Sequence, residues 1–301
     1  MDRKIKRGIG VMPAAMTLWN ADQSYNKKGM EKYLRWLIDN GAHSISVCGS
    51  TGENIAMNMA EQKEIIEHTV RFIDGEVPVY CGTGHYATLH TIETSKVAQD
   101  AGADGLLVIL PFYLTPHKKA VKQHFRDLRA AVDVNIMIYN NPWFAGYEFT
   151  PLEVKELVDD GTINSIKAAH GDPNRIHELK FHCGDKLDVF YGHDYCAMEG
   201  LLAGADGWLS GFPAVLPKQC RALFEAAAVE KNVDKARALQ AKMQPYIDYF
   251  FYDKVNGVPH WQEVCKYTLT VQGLDVGLPR KPLGDLDAEN KKKVERLLAD
   301  L

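Results

Sequence analysis

The residue best placed to do chemistry in this 301-residue sequence is Lys167. It sits in the apolar run Ile163-Asn164-Ser165-Ile166-Lys167-Ala168-Ala169-His170, with no acidic neighbour in sequence. A charge inside a buried strand is costly unless it is neutralised or paired. An ordinary lysine ammonium, with a pKa of about 10.4, is almost wholly protonated at neutral pH and cannot attack a carbonyl. A dry strand disfavours the charged form and supplies a free amine, which is the requirement for a Schiff base with a small oxo acid. The competing reading is a strand-end lysine that snorkels to solvent or pairs with a carboxylate such as Asp194.

Tyr139 closes the run Asn135-Ile136-Met137-Ile138 one strand earlier, so both side chains can reach the same end of a sheet. A phenol there can move protons to and from a carbinolamine, with Ser50 or Thr51 completing a relay. It can equally cap a core with a satisfied hydroxyl. Ser50 and Thr51 lie in Gly49-Ser50-Thr51-Gly52-Glu53-Asn54 at a strand-to-helix turn, where hydroxyls and exposed N–H groups hold carboxylates. The bland alternative is helix capping, with Glu53 as a first-turn acid. Tyr113 follows another apolar run.

Eight short Val/Ile/Leu-rich runs position these residues: Gly8–Met16, His43–Gly49, Val77–Gly84, Ala103–Pro111, Val134–Pro142, Ile163–His170, Leu187–Asp194 and Ala205–Phe212. Between them lie helix-like stretches such as Lys27–Asn40, Ala60–Ile73, Leu89–Ala101, Lys118–Val132 and Pro151–Asp159, and in the first of these Tyr33, Leu34, Leu37 and Ile38 share a face. The turns Gly41-Ala42, Gly102-Ala103-Asp104-Gly105 and Gly204-Ala205-Asp206-Gly207 fit helix C-caps that return the chain to the sheet. Buried strands alternating with crossover helices predict an α/β fold with a parallel sheet. Eight such units without a Gly-rich phosphate fingerprint favour closure into a (β/α)8 TIM barrel over an open doubly wound sheet. The barrel is expected over residues 1–231, with a C-terminal helical appendage over 232–301 built from Val233–Tyr252, Trp261–Gln272 and Asp287–Leu301. In a barrel, chemistry belongs at the C-terminal strand ends, where the candidate residues fall.

Composition narrows the class. With 46% hydrophobic and 25% charged residues, the chain has the balance of an ordinary globular enzyme. A net charge of −4 without a basic stripe disfavours nucleic acid as a partner. Met1–Gly10 is positively charged but has no apolar segment behind it, and no run is long enough to span a membrane, so a cytoplasmic location is expected. The six cysteines show no C-x-x-C pair and read as reduced thiols. The eleven histidines are scattered, so no metal is expected, and His193 in Gly192-His193-Asp194 reads as a pocket or core residue.

Taken in order, Gly49-Ser50-Thr51-Gly52-Glu53, Pro111-Phe112-Tyr113, Tyr139-Asn140-Asn141-Pro142, Lys167 and Gly192-His193-Asp194 resemble the dihydrodipicolinate synthase and N-acetylneuraminate lyase family over nearly the whole chain. The twenty-eight-residue step from Tyr139 to Lys167 adds to the match. The resemblance implies Lys167 as the Schiff-base lysine, Tyr139 as the proton-transfer phenol, and Ser50 with Thr51 as carboxylate-binding and relay groups. Tyr113 becomes a relay residue reaching a neighbouring subunit's site. Gly49, Asn141, His193, Ser210 and Gly211 become further substrate contacts. No cofactor is implied beyond the covalent imine, and the implied assembly is a homotetramer of tight dimers, or a dimer.

Two departures bear on the substrate. Dihydrodipicolinate synthases usually carry an arginine shortly after the Tyr-Asn-x-Pro motif to receive the second substrate's carboxylate, whereas Trp143-Phe144-Ala145-Gly146 stands here. Sialate lyases usually place an acid where Tyr195 stands. Gly52-Glu53-Asn54, Asn140-Asn141-Pro142 and Gly207-Trp208-Leu209-Ser210-Gly211-Phe212 look more like deaminases acting on 1-pyrroline-4-hydroxy-2-carboxylate, a cyclic imino acid, and that deamination is the leading expectation. The alternatives are a pyruvate-dependent aldolase or 4-hydroxy-tetrahydrodipicolinate synthase condensing pyruvate with an aldehyde, and, from another class, a non-catalytic oxo-acid sensor.

Overall fold

A computed structural model describes residues 6–252 and 259–301; the first part of the charged stretch Met1–Gly10 lies outside the described residues. Eight parallel strands form one sheet in the order β1-β8-β7-β6-β5-β4-β3-β2. They are β1 (Gly10–Pro13), β2 (Ile45–Val47), β3 (Val79–Gly82), β4 (Gly105–Ile109), β5 (Asn135–Asn140), β6 (Ser165–Ala168), β7 (Asp188–Tyr191) and β8 (Gly207–Ser210). The seam between β1 and β2 is closed by backbone bonds from His43 N–H to the Val11 carbonyl (2.9 Å) and from Ala15 N–H to the Ser46 carbonyl (2.8 Å). The sheet is therefore a barrel. Helices Lys27–Asp39, Met59–Ile73, Thr88–Ala101, Lys118–Ala131, Pro151–Asp159, Asn174–Cys183, Ala197–Leu202 and Pro217–Phe224 follow the eight strands in turn.

The strands are shorter than the apolar runs that predict them, for a local reason. At Cys48 the backbone enters the left-handed region (φ 54°), which ends the extended conformation after Val47. At the opposite end of the barrel, the repeated Gly-Ala-Asp-Gly segment does two jobs. Gly102 and Gly204 turn the chain out of their helices with φ of 91° and 101°. Asp104 and Asp206 then accept the backbone N–H of Val79 (3.0 Å) and Val189 (2.7 Å), tying each new strand to its neighbour.

Alternation along the strands splits the core in two. Met12, Tyr80, Leu107, Met137, Tyr139, Phe190 and Leu209 fill the barrel interior, while a larger set including Val11, Ile136, Ile138, Ile166 and Val189 packs beneath the helices. The large rings fit because small residues face them: a Cβ on Gly207 would lie 2.4 Å from the Phe190 ring. Beyond β8 the helix Pro217–Phe224 runs into a wider π turn, Glu225–Val229. Helices Val233–Phe251, Trp261–Val271 and Ala288–Ala299 complete the chain. Among the described residues, no helix is long and apolar enough to cross a membrane.

Candidate active site

Tyr139 on β5 and Lys167 on β6 are register partners, so both side chains enter the barrel at one level. They are 6% and 4% exposed, and Lys167 Nζ lies 4.0 Å from the centroid of the Tyr139 ring. A ring face attracts a cation but cannot neutralise it. Among the described residues no hydrogen bond or ion pair holds the Lys167 amine. The lysine stem passes Gly192, where a Cβ would stand 2.7 Å from Lys167 Cγ. Any other residue at 192 would displace the amine.

The Tyr139 hydroxyl accepts a hydrogen bond from Asn141 Nδ2 (2.9 Å), leaving its own proton free to donate. The same Asn141 caps the short helix Pro142–Ala145 through its Oδ1, which accepts from Trp143 N–H (2.9 Å) and Phe144 N–H (3.2 Å). Asn141 thus serves the phenol and the turn, and its amide is occupied by protein. Thr51, buried, makes no hydrogen bond to Tyr139. The expected relay has its phenol and its amine in contact, with the hydroxyl of Thr51 outside that contact.

On the β7 and β8 side, the Asp194 carboxylate collects Ser210 Oγ (2.8 Å), Trp208 Nε1 (3.2 Å) and Phe212 N–H (3.4 Å). Burial raises its pKa to about 6, against these donors and the Lys167 charge. Asp194 makes no ion pair with Lys167 among the described residues; it is the hub to which Ser210 is committed, with Gly211 beside it. His193 is pushed down to about 4 by burial and, secondarily, by the Lys167 charge. Its Nδ1 accepts Tyr195 N–H (3.2 Å), and its ring stacks on Phe251 at 5.1 Å. It is a neutral wall of the site.

The Ser50–Glu53 loop is held from the C-terminal segment. Gln262 Nε2 donates to the Ser50 carbonyl (2.8 Å). Glu53, at φ 61°, places Oε1 2.9 Å from Lys266 Nζ, with both side chains 2% exposed, and its Oε2 accepts Arg280 N–H (2.7 Å). Glu53 is therefore no first-turn acid: the following helix begins at Met59, capped reciprocally by Asn58 and Glu61. Lys266, Gln262 and Arg280 escaped the sequence reading. The available signal was a lysine among the buried Val264, Cys265, Thr268 and Leu269 of one helix.

Above the phenol opens a cavity of about 530 Å³, lined in part by Gly49, Ser50, Leu107, Tyr139, Phe144 and Trp261. Of the residues expected at the site, Gly49, Ser50 and Tyr139 face this space. Tyr113 does not: it is 92% exposed at φ 77° and makes no hydrogen bond or ring contact among the described residues, although its neighbour Phe112 lines the cavity. Among the described residues, no group of three His, Cys, Asp or Glu side chains could hold a metal.

A closed barrel whose strand ends bring an unpaired buried amine against a phenol is the architecture of an imine-forming enzyme. Comparison with known proteins agrees. The family model described as the dihydrodipicolinate synthetase family matches residues 8–301. The chain is 33% identical to a 4-hydroxy-tetrahydrodipicolinate synthase of Pelobacter propionicus over 88% of its own length and 90% of the relative's. Its structure superposes on the dihydrodipicolinate synthase of Acinetobacter baumannii complexed with pyruvate, with a TM-score of 0.88 and 29% identity over 97% of this chain and 98% of that one. A prophage protein of the same family from E. coli K12, also in complex with pyruvate, gives 0.89 and 28% identity, covering 97% of each chain. The chain belongs to the dihydrodipicolinate synthetase family. It is a lyase of the lysine Schiff-base class, which removes the sensor reading.

Proposed function

We propose that this enzyme joins pyruvate to an aldehyde, or runs the reverse cleavage, through an imine on Lys167. The observation that carries the reading is the contact of the buried Lys167 amine with the Tyr139 ring, with no ion pair to it among the described residues. Synthase names among the relatives and pyruvate in two structural neighbours favour this reading over deamination of 1-pyrroline-4-hydroxy-2-carboxylate. The segment that carried the deaminase likeness has its polar groups engaged internally, with Trp208 and Ser210 both donating to Asp194.

Each residue has a defined role. Lys167 Nζ adds to the pyruvate C2 carbonyl, and Tyr139 passes a proton to the departing hydroxyl, so that water leaves and an imine remains. Ser50, with Thr51 and the backbone of Gly49, receives the pyruvate carboxylate. Loss of a C3 proton gives the enamine, whose C3 attacks the aldehyde carbon while the aldehyde oxygen takes a proton. Hydrolysis of the imine frees Lys167 and a 4-hydroxy-2-oxo acid. Tyr113, 92% exposed, is proposed to act across a subunit contact in a dimer or a tetramer of dimers.

Borohydride reduction in the presence of pyruvate tests the reading. A stable adduct is expected on the peptide containing Lys167, absent from Lys167→Ala. An adduct on another peptide, or none with protein shown to be folded, overturns it.

A further inference from the structure

The inference concerns the second substrate and rests on the pyruvate reading above. The cavity beyond Tyr139, about 530 Å³, is of the size that encloses whole small organic molecules, far more than a three-carbon acid fills. Its walls are largely apolar: Leu107, Ile109, Phe112, Phe144 and Trp261 contribute side chains, and Phe144 stands edge-on to Tyr139 with centroids 6.5 Å apart.

Of the polar groups that reach this space, Arg280, Glu53 and Gln262 are engaged within the protein, Arg280 through both terminal nitrogens with its Nε left without a hydrogen-bond partner among the described residues. Arg280 donates to the Ala56 and Gln23 carbonyls and to Glu61, and its guanidinium lies 3.8 Å from the Trp19 ring centroid. Glu53 is paired with Lys266, and the Gln262 amide donates to Ser50. Lys281 is the remaining cation of the lining, and it is solvent-exposed. A distal carboxylate entering this space would lose its water and find the terminal nitrogens of Arg280 already committed to Glu61, a costly exchange. An aryl or branched alkyl group would bury against the walls with a gain of roughly 25 cal/mol per Å².

We infer that the aldehyde partner is uncharged and apolar, of aryl or branched-alkyl size, and that Phe144 is the residue that sets this preference. Phe144 is half-exposed at the wall, on the turn that Asn141 caps behind Tyr139. It therefore shapes the approach of the aldehyde without touching the imine carbon.

The test measures kcat/KM for pyruvate consumption with benzaldehyde, 2-methylpropanal and succinic semialdehyde, with borohydride trapping of pyruvate alone run in parallel. The expected result is a preference of about 100-fold or more for benzaldehyde over succinic semialdehyde. Phe144→Arg should invert that ratio, and Phe144→Leu should keep the apolar preference while weakening benzaldehyde. Normal trapping together with an equal or greater rate on the semialdehyde overturns the inference alone. An unchanged ratio in Phe144→Arg removes Phe144 from its role. Failure of trapping in the wild-type protein removes the pyruvate reading, and this inference with it.

Discussion

Lys167 and Lys266 are both buried, 4% and 1% exposed, yet the protein treats them in opposite ways. Lys266 reaches Glu53 at 2.9 Å and donates to the Leu278 carbonyl at 2.9 Å. Its ammonium is pushed down by burial and supported by the Glu53 charge. Lys167 meets the face of Tyr139 and, among the described residues, forms no ion pair with a carboxylate. Burial alone therefore does not mark a nucleophile. A buried ammonium with a matched anion is a structural tie, whose removal on one side leaves a charge stranded. The Lys167 amine instead lies over the face of an aromatic ring with no matched anion in an ion pair.

The largest effect comes from exchanging each lysine for methionine. Lys167→Met should lower turnover by roughly 10⁴-fold or more, since the covalent step has no substitute, while urea unfolding changes little. Lys266→Met should do the reverse: it leaves Glu53 buried and uncompensated, at a cost of about 3–5 kcal/mol, while the folded fraction still forms the pyruvate adduct. Retained turnover in Lys167→Met, or a lost adduct at native stability in Lys266→Met, breaks the contrast.

A smaller effect sharpens it from the carboxylate side. Glu53→Gln keeps shape but strands the Lys266 ammonium, so unfolding free energy should fall by about 3 kcal/mol, the lower end of the cost of one-sided removal. Because Glu53 also anchors the loop bearing Ser50 and Thr51 through Arg280 N–H, KM for pyruvate should rise more than kcat falls. The double variant Glu53→Gln with Lys266→Met should recover part of the stability, since removing both charges strands neither. Strict additivity of the two losses, measured by denaturant titration, would show that the ion pair is not the tie described.

The barrel was legible because it rests on short-range patterns. Apolar runs between amphipathic helices, and caps such as Gly102-Ala103-Asp104, are local statements, and each strand appears where its run stands, trimmed where Cys48 or a cap leaves the extended region. That Tyr139 and Lys167 lie side by side at strand ends was legible too, and they are register partners. The supporting shell was not, because it joins distant segments: nothing around Glu53 announces Lys266 or Arg280, and a 2.9 Å pair between them exists only once the C-terminal helices return to the barrel mouth. For the same reason the bonds from Ser210 to Asp194 and from Asn141 to Tyr139 were not legible.

The smallest effect uses His193 as a reporter of which lysine charge it feels. Its folded pKa, about 4, lies below the ordinary histidine value of 6.5, through burial first and the Lys167 charge second. The unfolded chain therefore takes up this proton first as pH falls. The stability that His193 contributes is complete above pH 6.5 and is lost as pH drops through about 4, by up to about 3 kcal/mol. Asp194, raised to about 6 from 3.8, acts with the opposite sign: its contribution is present below its ordinary value and lost as pH rises through 6. The two partly cancel between pH 4 and 6, so the wild-type profile there is shallow. His193→Gln removes the acid-sensitive arm, and the wild-type minus variant unfolding free energy should decline steadily from pH 6.5 to 4. In Lys167→Met the His193 imidazole should titrate closer to its ordinary value by NMR, because one depressing charge is gone, while Lys266→Met should leave it in place. Equal shifts in both variants would mean that the two lysines are not electrostatically distinct at this site.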